Sequence, residues 1–357
     1  MEQFTEMLHL MPQWYWNLTV FVFGSIVGSF LNVVIYRLPL GQSIITPRSA
    51  CPKCGHKITA LENIPLISYI LLGGKCSGCK TAISPIYPFV ELLTALLFLA
   101  TYFKHKQQLN FYAFFADLSF VAACICLIFI DYRHMILPDA ITLRGTIVAI
   151  LIRLFIPNPT AATASFFGIQ FSALIVLTYL LFLAVEKFDY GVVRLAAYLL
   201  LLMITGGWLL MSMLYLEQYL DLQVTFLILW ENYLGSRAWA LSLANGLIGC
   251  TIGAGLLLAL RQIYFVLRGI EGMGLGDVKM MLMVGFYLGW QLTIATLVIA
   301  SLLGTILALA MFLQTGREVL KAKVPFGVFL GMAAIILTLY GQQILEWYFN
   351  NLISVRQ

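Results

Sequence analysis

Charged residues are scarce in this sequence, and apolar residues dominate it. Only 10% of the 357 residues are Asp, Glu, Lys or Arg, whereas 61% are hydrophobic and the mean hydropathy is +0.93. This composition excludes a soluble globular protein, which carries far more charge. We therefore predict an all-α polytopic integral membrane protein with about ten transmembrane helices.

The sequence also lacks internal repeats, low-complexity tracts and a basic segment ahead of its first apolar run. Because Glu2 and Glu6 make the first residues acidic, we expect no cleavable signal peptide. The net charge of +5 comes from basic residues in short loops, as the positive-inside rule predicts. The charge therefore does not indicate a nucleic acid partner.

The apolar runs separate the first membrane segment from one long polar loop. Residues 1–13 are predicted as an N-terminal tail, 14–37 as the first transmembrane helix and 38–85 as the loop. The loop carries several lysines and arginines against the single acid Glu62. This bias places the loop in the cytoplasm and the tail on the outer, periplasmic side.

The other segments follow from the same apolar pattern. They are transmembrane helices over 86–157, an inserted hairpin and loop over 158–239, a transmembrane core over 240–349 and a tail over 350–357. Within the core, Gly289 separates a short apolar run from a longer one, which predicts a break between two helices. In the first helix, Gly24 and Gly28 are four residues apart and favour close packing against a neighbouring helix.

The polar loop contains four cysteines in two C-x-x-C motifs. Cys51 and Cys54 form the first motif, and Cys76 and Cys79 form the second. This spacing is typical of a structural zinc site, in which four thiolates surround one tetrahedral Zn²⁺. A redox dithiol is the alternative, but two pairs without a thioredoxin-like context argue against it, and a reducing cytoplasm disfavours disulfides. We predict a small cytoplasmic zinc-binding module, with His56 as a bystander.

A glycine-rich stretch ending in an aspartate lies between two long apolar runs. Gly272, Gly274 and Gly276 provide a backbone that another backbone or a substrate can approach closely, and Asp277 follows them. An ionisable residue at the mouth of a membrane segment indicates a functional site by default. The alternative is that Asp277 only caps the following helix.

A second aspartate, Asp131, lies at the predicted cytoplasmic end of another span. There the helix dipole disfavours an anion, so its position indicates a use. Asp139 follows a proline and precedes an apolar run, and we interpret it as a helix cap. The number of crossings places Asp131 and Asp277 at the same face of the membrane. Two carboxyl groups brought close share a proton, so one can activate water while the other polarises a carbonyl.

Other polar residues near the membrane have simpler interpretations. Glu91 and Asp117 lie in apolar spans near the interface. We interpret them as paired acids that face the helix bundle, because acids in such places more often have that role than a catalytic one. Lys279 could stabilise an anion or mark the interface, and His134 is interpreted as an exposed loop residue. The remaining cysteines lie in apolar spans and are predicted to be packing residues; they are Cys124, Cys126 and Cys250.

Several motifs follow one another along the chain. They are GSFLNVVIYRLP at 28–39, CPKC at 51–54, NIPLIS at 63–68, GKCSGC at 74–79, IS at 83–84, YP at 87–88 with Glu91, Asp131 with LPD at 137–139, GLGD at 274–277 and PFG at 325–327. In this order they closely resemble the bacterial type IV prepilin peptidases, also called leader peptidase/N-methyltransferases. The resemblance covers most of the chain and departs from the family pattern between about residues 158 and 237.

The resemblance implies a GxGD-type aspartic peptidase of the bacterial inner membrane, with its active site facing the cytoplasm. It implies Asp131 and Asp277 as the catalytic pair and Asp139 as non-catalytic. The implied substrates are prepilins or pseudopilins of pilus or secretion assembly machinery, which lose a short basic leader. Many members then N-methylate the new N-terminus with S-adenosylmethionine. The sequence contains no motif of a strand, a glycine-rich loop and a helix that would bind this methyl donor. The predicted methylation therefore rests on the resemblance alone.

Two functions from other classes remain as alternatives. In a transporter or channel with a cytoplasmic zinc module, the aspartates would be ion or proton sites. Both aspartates are predicted at one face of the membrane, however, whereas transporter sites usually lie at the midplane. The second alternative is a scaffold for pilus assembly that has lost peptidase activity. The presence of both aspartates disfavours this alternative.

Overall fold

The computed structural model describes residues 11–106, 110–156, 172, 175–176, 238–269, 272–315, 324–348 and 350–351. Within these ranges the secondary structure is helical, with two isolated β-bridges and no strands. The helices are α1 (Gln13–Arg37), α2 (Ile67–Leu71), α3 (Ile86–His105), α4 (Phe111–His134), α5 (Asp139–Phe155), α6 (Ala238–Arg268), α7 (Leu275–Leu288), α8 (Trp290–Thr315) and α9 (Phe326–Tyr348). The inserted segment predicted over 158–239 lies almost wholly outside the described residues.

Six helices of the described part are long and apolar enough to cross a membrane: α1, α3, α4, α6, α8 and α9. Helices α5 and α7 have 17 and 14 residues. About 20 apolar residues are needed for a full span. The described residues therefore belong to a multi-pass membrane protein. They do not confirm the predicted number of about ten transmembrane helices.

The chain divides into two compact units, of which the first comprises residues 1–138 and 323–357. Its helices α1 and α3 are in close contact, because Gly24 and Gly28 have no side chain between them. A Cβ at Gly28 would lie 2.7 Å from the Cα of Glu91, and one at Gly24 would lie 2.7 Å from the Cα of Ala95. This confirms the predicted packing through small residues. Helix α4 packs against α1, α3 and α9.

One end of this unit carries a cluster of charged side chains. Lys104 Nζ lies 2.6 Å from Asp117 Oδ2 and donates to the Thr338 carbonyl at 2.7 Å. His105 Nε2 lies 2.8 Å from the same Asp117 oxygen. Asp117 is therefore a paired acid, as predicted, and it connects α3 with α4 while Lys104 connects both to α9.

The second unit comprises residues 139–322, and α7 lies at its centre. Helix α7 packs against α5, α6 and α8, and most of its residues after Asp277 are buried. Gly289 follows α7 with φ +85°, a conformation that glycine adopts without strain. Helix α8 begins at the next residue, so the predicted break at Gly289 is confirmed.

A buried arginine holds the end of α7 in place. Arg153 of α5 is 2% exposed, and its guanidinium donates to the carbonyls of Phe286, of Ser242 at 2.9 Å and of Tyr287 at 2.9 Å. Two of these carbonyls belong to the last turn of α7, where no intrahelical donor remains for them. The positive charge also complements the negative end of the helix dipole.

Candidate active site and cysteine module

The cysteine module consists of two loops with the same backbone pattern. In the first, Cys51 N–H donates to the His56 carbonyl and Gly55 N–H to the Cys51 carbonyl. In the second, Cys76 N–H donates to the Thr81 carbonyl and Lys80 N–H to the Cys76 carbonyl. The fifth residue of each loop has a positive φ, +73° at Gly55 and +56° at Lys80. Each loop thereby turns its two sulfur atoms towards the other loop.

The four sulfur atoms form a compact cluster. Cys51 Sγ lies 3.8 Å from Cys79 Sγ, and Cys54 Sγ lies 4.0 Å from Cys76 Sγ. All four lie within 4.8 Å of one another. Four thiolates at about 2.3 Å from one tetrahedral ion would be about 3.8 Å apart. The predicted ligands are thus brought together with a spacing that can hold a metal ion.

The thiols differ in acidity because their neighbours differ. The hydroxyl of Thr81, 2.6 Å from Cys79 Sγ, lowers the pKa of Cys79 to about 6. Backbone N–H groups of Cys54 and Lys53 lower the pKa of Cys51. The pKa of Cys54 is raised to about 11. The backbone N–H of His56 lowers it, but the contact with Cys79 and desolvation raise it by more. Four neighbouring thiols cannot all ionise without a cation, because their negative charges repel one another. A divalent cation bound between them stabilises all four as thiolates.

His56 has partners other than the sulfur atoms. Its Nε2 lies 3.0 Å from the Ser77 hydroxyl and 3.2 Å from Glu62 Oε2. Hydrogen bonds from the Ser77 hydroxyl and the Thr59 N–H lower the pKa of Glu62 to about 2. These contacts join the two cysteine loops through side chains, which agrees with the interpretation of His56 as a bystander to the metal site.

Asp131 lies in the last turn of α4 and is 5% exposed. The helix ends at His134, and Met135 closes it in the left-handed conformation, with its N–H donating to the Asp131 carbonyl at 2.9 Å. An acid at this end of a helix is disfavoured by its own helix dipole. The side chain, however, faces the first turn of α9.

The first turn of α9 supplies the environment of the Asp131 carboxyl group. The backbone N–H groups of Gly327 and Val328 lie beside it. N–H groups in the first turn of a helix have no intrahelical acceptor, and the positive end of the dipole favours an anion there. Asp131 Oδ2 is buried and has no hydrogen-bond partner within the described residues. A buried carboxyl oxygen in this state is available for a further proton donor or acceptor.

Asp277 lies in the first turn of α7 and is half-buried. The N-cap of this helix is Gly274, so Asp277 does not occupy the capping position considered from the sequence. An acid in the first turn is favoured by the helix dipole. Asp277 belongs to the second unit and Asp131 to the first.

The predicted substrate-approach glycines differ in their surroundings. Gly272 lies against the ring of Tyr264, which a Cβ would overlap, so its small size is required by packing. Gly274 has φ −72°, an ordinary value, and a Cβ there would meet nothing closer than 3.9 Å within the described residues. Gly276 is the second residue of α7. Their role towards a substrate remains a prediction.

Lys279 pairs with an anion, one of the two roles predicted for it, and its partner is Asp139, which the sequence did not indicate. Lys279 Nζ lies 2.7 Å from Asp139 Oδ1 and 2.9 Å from Oδ2, and the Asp139 side chain is 57% exposed. Asp139 begins α5, and Lys279 lies two residues after Asp277. The pair therefore connects the start of α5 with the first turns of α7. His134 is exposed, as predicted, but it is the last residue of α4 and not a loop residue.

Comparison with known proteins places the chain in a family. The family model described as Bacterial Peptidase A24 N-terminal domain matches residues 22–105, and that of the Type IV leader peptidase family matches residues 215–309. A prepilin leader peptidase/N-methyltransferase of Aeromonas hydrophila is 30% identical, covering 97% of this chain and 98% of the relative. The chain belongs to the type IV leader peptidase family. This confirms the resemblance predicted from the motifs.

Two further relatives support membership of the type IV leader peptidase family. The protein of the same name from Pseudomonas aeruginosa is 30% identical over 93% of this chain and 92% of its own length. The one from Myxococcus xanthus is 48% identical over 131 residues, 37% of this chain and 38% of the relative. No solved structure matches the chain.

The predicted enzyme class, rather than a transporter or channel, is confirmed for this member of the type IV leader peptidase family. The segment that matches the N-terminal domain contains the cysteine module, and the segment that matches the leader peptidase domain contains Asp277. Asp131 and Gly327 lie outside both matched segments. Their proximity is visible only in the folded chain.

Proposed function

We propose that this protein is a prepilin leader peptidase that uses Asp131 and Asp277 as a pair of carboxyl groups. The observation that carries the proposal is the buried Asp131 Oδ2, which has no hydrogen-bond partner in the described part of the chain. A buried acid with an open oxygen is costly unless a further group completes its surroundings. In this proposal that group is the second aspartate together with the attacking water.

The proposed reaction is the hydrolysis of one peptide bond. One carboxylate removes a proton from water, whose oxygen attacks the scissile carbonyl, and the protonated partner donates its proton to the carbonyl oxygen. The C–N bond then breaks, and the amine leaves with a proton from the pair. The Gly327 and Val328 N–H groups support negative charge on Asp131 during these steps.

The proposed substrates are prepilins or pseudopilins at the cytoplasmic face of the bacterial inner membrane. The basic leader stays in the cytoplasm, while the apolar helix that follows lies in the bilayer beside the enzyme. The relatives' name supports this substrate class. In the proposal Gly272, Gly274 and Gly276 let the substrate backbone approach Asp277.

The cysteine module is proposed to hold one structural Zn²⁺ through Cys51, Cys54, Cys76 and Cys79. The distances between the sulfur atoms support this ligand set. Four protein ligands leave no open position on the ion, so the metal would stabilise the loop without taking part in hydrolysis. The protein is also proposed to N-methylate the new N-terminus with S-adenosylmethionine, an activity that the relatives' name includes.

The experiment is to incubate the purified full chain with a prepilin and S-adenosylmethionine and to weigh the products. A prepilin shortened by its leader, and heavier by one methyl group, is expected. The Asp277→Asn variant serves as the control for a contaminating peptidase. An intact prepilin after incubation with the wild-type protein would refute the proposed peptidase.

A further inference from the structure

The short helix α2 presents apolar side chains on its outer face. Ile67, Ile70 and Leu71 are 54%, 75% and 80% exposed. Because Ile70 and Leu71 follow Ile67 by three and four residues, the three side chains lie on one face of the helix. The ring of Tyr69 instead turns towards the cysteine module, where a Cβ at Gly74 would lie 3.1 Å from its hydroxyl. Exposed apolar residues gathered on one face indicate a contact surface.

The exposed surface continues into the segment before α2. A 3₁₀ turn over Leu61–Asn63 packs against α2, and the side chains of Leu61 and Ile64 are exposed as well. The sequence from residue 63 to residue 74 holds no charged residue. We call these five apolar side chains the α2 surface; they are Leu61, Ile64, Ile67, Ile70 and Leu71. Burial of this surface requires a partner that is itself apolar.

A hydrogen bond from the membrane helix α3 fixes where α2 begins. Glu91, interpreted from the sequence as a paired acid, accepts the Leu66 N–H through its Oε2 at 2.8 Å. Leu66 has φ +62° and ψ −50°, and the Ile67 N–H donates to the Pro65 carbonyl at 2.6 Å, which makes a γ-turn of the rare, strained type. A leucine keeps such a conformation only where its surroundings enforce it. The Glu91 carboxyl group therefore holds the start of α2 against α3.

The level of this contact follows from the packing of α3 on α1, both of which are long and apolar enough to cross a membrane. Gly28 faces Glu91, since a Cβ at Gly28 would lie 2.7 Å from the Glu91 Cα. Helix α1 continues for nine residues past Gly28 before it ends at Arg37, which is about 13.5 Å at about 1.5 Å per residue. A glutamate side chain with one hydrogen bond is shorter than this distance. The start of α2 therefore lies deeper than the end of α1.

The loop that contains α2 is basic. Over residues 38–85 it carries five Lys or Arg residues and one acid, Glu62. Lys57 and Lys75 are exposed and lie on either side of the uncharged stretch in the sequence. Anionic lipid headgroups attract basic residues that lie next to a membrane. A bilayer with anionic lipids therefore complements both the apolar α2 surface and the charge of the loop around it.

We propose that α2 is an interfacial helix, which inserts the α2 surface into the lipid beside α3 and so anchors the cysteine module to the membrane. Amphipathic helices of this kind bury their apolar face about 5–10 Å into the boundary between headgroups and acyl chains. The strained turn at Leu66 and its bond to Glu91 hold the helix at that depth. The module is then attached at three places, which are the end of α1, the start of α3 and α2. This inference concerns the position of the module and does not depend on the proposed hydrolysis or methylation.

The test measures the depth of α2 in the full chain, reconstituted into vesicles of phosphatidylcholine and phosphatidylglycerol. A fluorescent amino acid replaces Ile70 in one variant and Arg48, an exposed residue elsewhere in the same loop, in the control. Lipids brominated near the top of their acyl chains should quench the probe at residue 70 several-fold more than the probe at residue 48. Equally weak quenching at both residues would overturn the proposal.

Two substitutions of Glu91 test what sets the depth. Glu91→Gln keeps an oxygen that can accept the Leu66 N–H, whereas Glu91→Leu has a similar size and no acceptor. With the probe at residue 70, quenching by the brominated lipid should be unchanged in Glu91→Gln and should fall several-fold in Glu91→Leu. The Tm of each variant in detergent shows that folded proteins are compared. Equal quenching in the two folded variants would contradict the role assigned to Glu91.

Other occupants of the α2 surface would give different results, because a protein helix on this surface would exclude lipid from the probe. Loss of quenching on addition of a prepilin would assign the surface to the substrate. Loss of quenching at a high ratio of protein to lipid would assign it to a second copy of the chain. Either result would overturn the proposal, whereas quenching that persists under both conditions supports it.

Discussion

Gly327 lies so close to Asp131 that a Cβ at residue 327 would be 2.7 Å from Asp131 Oδ2 and 3.0 Å from the side chain of Leu137. Only glycine lets the first turn of α9 approach the carboxyl group at this distance. The same turn brings the N–H groups of Gly327 and Val328 to Asp131. The absence of one side chain therefore controls the environment of a proposed catalytic acid.

Gly327→Ala should lower prepilin cleavage by about a hundredfold, because displacing a reacting group by about 1 Å can cost that much. The rate is measured with purified protein under single-turnover conditions. Ile336→Ala is the matched control, since Ile336 lies on the same helix and is 39% exposed. Full activity of Gly327→Ala would show that α9 does not have to meet Asp131 so closely.

Asp131→Asn and Asp277→Asn should each reduce cleavage by about a hundredfold or more, because general acid–base catalysis fails when either member cannot ionise. Asp139→Asn is the matched control. It removes only an exposed ion pair with Lys279, which contributes about 0.2–1 kcal/mol to stability. Leader removal is followed by mass spectrometry. Rapid cleavage by either of the first two variants would exclude its aspartate from the reaction.

The purified protein should contain about one zinc per chain, measured by elemental analysis. Changing Cys54 and Cys79 to serine together should remove it. Because metal binding and folding of a small module are coupled, the loop over residues 38–85 should also be cut faster by a protease. His56→Ala should keep the metal, since His56 bonds to Ser77 and Glu62. Stoichiometric zinc in the double variant would exclude this ligand set.

Without metal, Cys79 should be alkylated before Cys54, although both are exposed. The pKa of Cys79 is lowered to about 6 by the Thr81 hydroxyl, so its reactive thiolate is present above that pH. The pKa of Cys54 is raised to about 11, so it stays protonated at neutral pH. Chelated protein is treated with iodoacetamide across a pH series and mapped by mass spectrometry.

Thr81→Val tests the cause of this order. The substitution removes the hydroxyl that lies 2.6 Å from Cys79 Sγ and should move the alkylation midpoint of Cys79 to higher pH. An unchanged midpoint would mean that another group stabilises the thiolate.

Arg153→Met should destabilise the second unit. It removes the donor to carbonyls of Phe286 and Tyr287, and each buried group left without a partner costs about 1–3 kcal/mol. A lower Tm in detergent is expected. Arg144→Met, at an exposed residue of the same helix, should change Tm little. Equal Tm values for the two variants would contradict the role of Arg153 at the end of α7.

Local sequence determined the helices and the cysteine module. Apolar runs bounded by charges marked α1, α3, α4 and α6, because a helix in lipid must satisfy its own backbone and present apolar side chains. Gly289 marked the break after α7, because glycine tolerates the positive φ found there. The spacing of Cys51 with Cys54 and of Cys76 with Cys79 predicted the sulfur cluster, since each pair acts within one short loop.

Contacts between distant segments were decided by the tertiary structure alone. The sequence predicted Asp131 as an acid at an unfavourable helix end, but not that α9 supplies N–H groups to it. Nor did it predict that Lys279 pairs with Asp139, or that Arg153 reaches the last turn of α7. Hydrophobic periodicity determines which face of a helix is apolar, whereas close packing determines which polar group meets which partner.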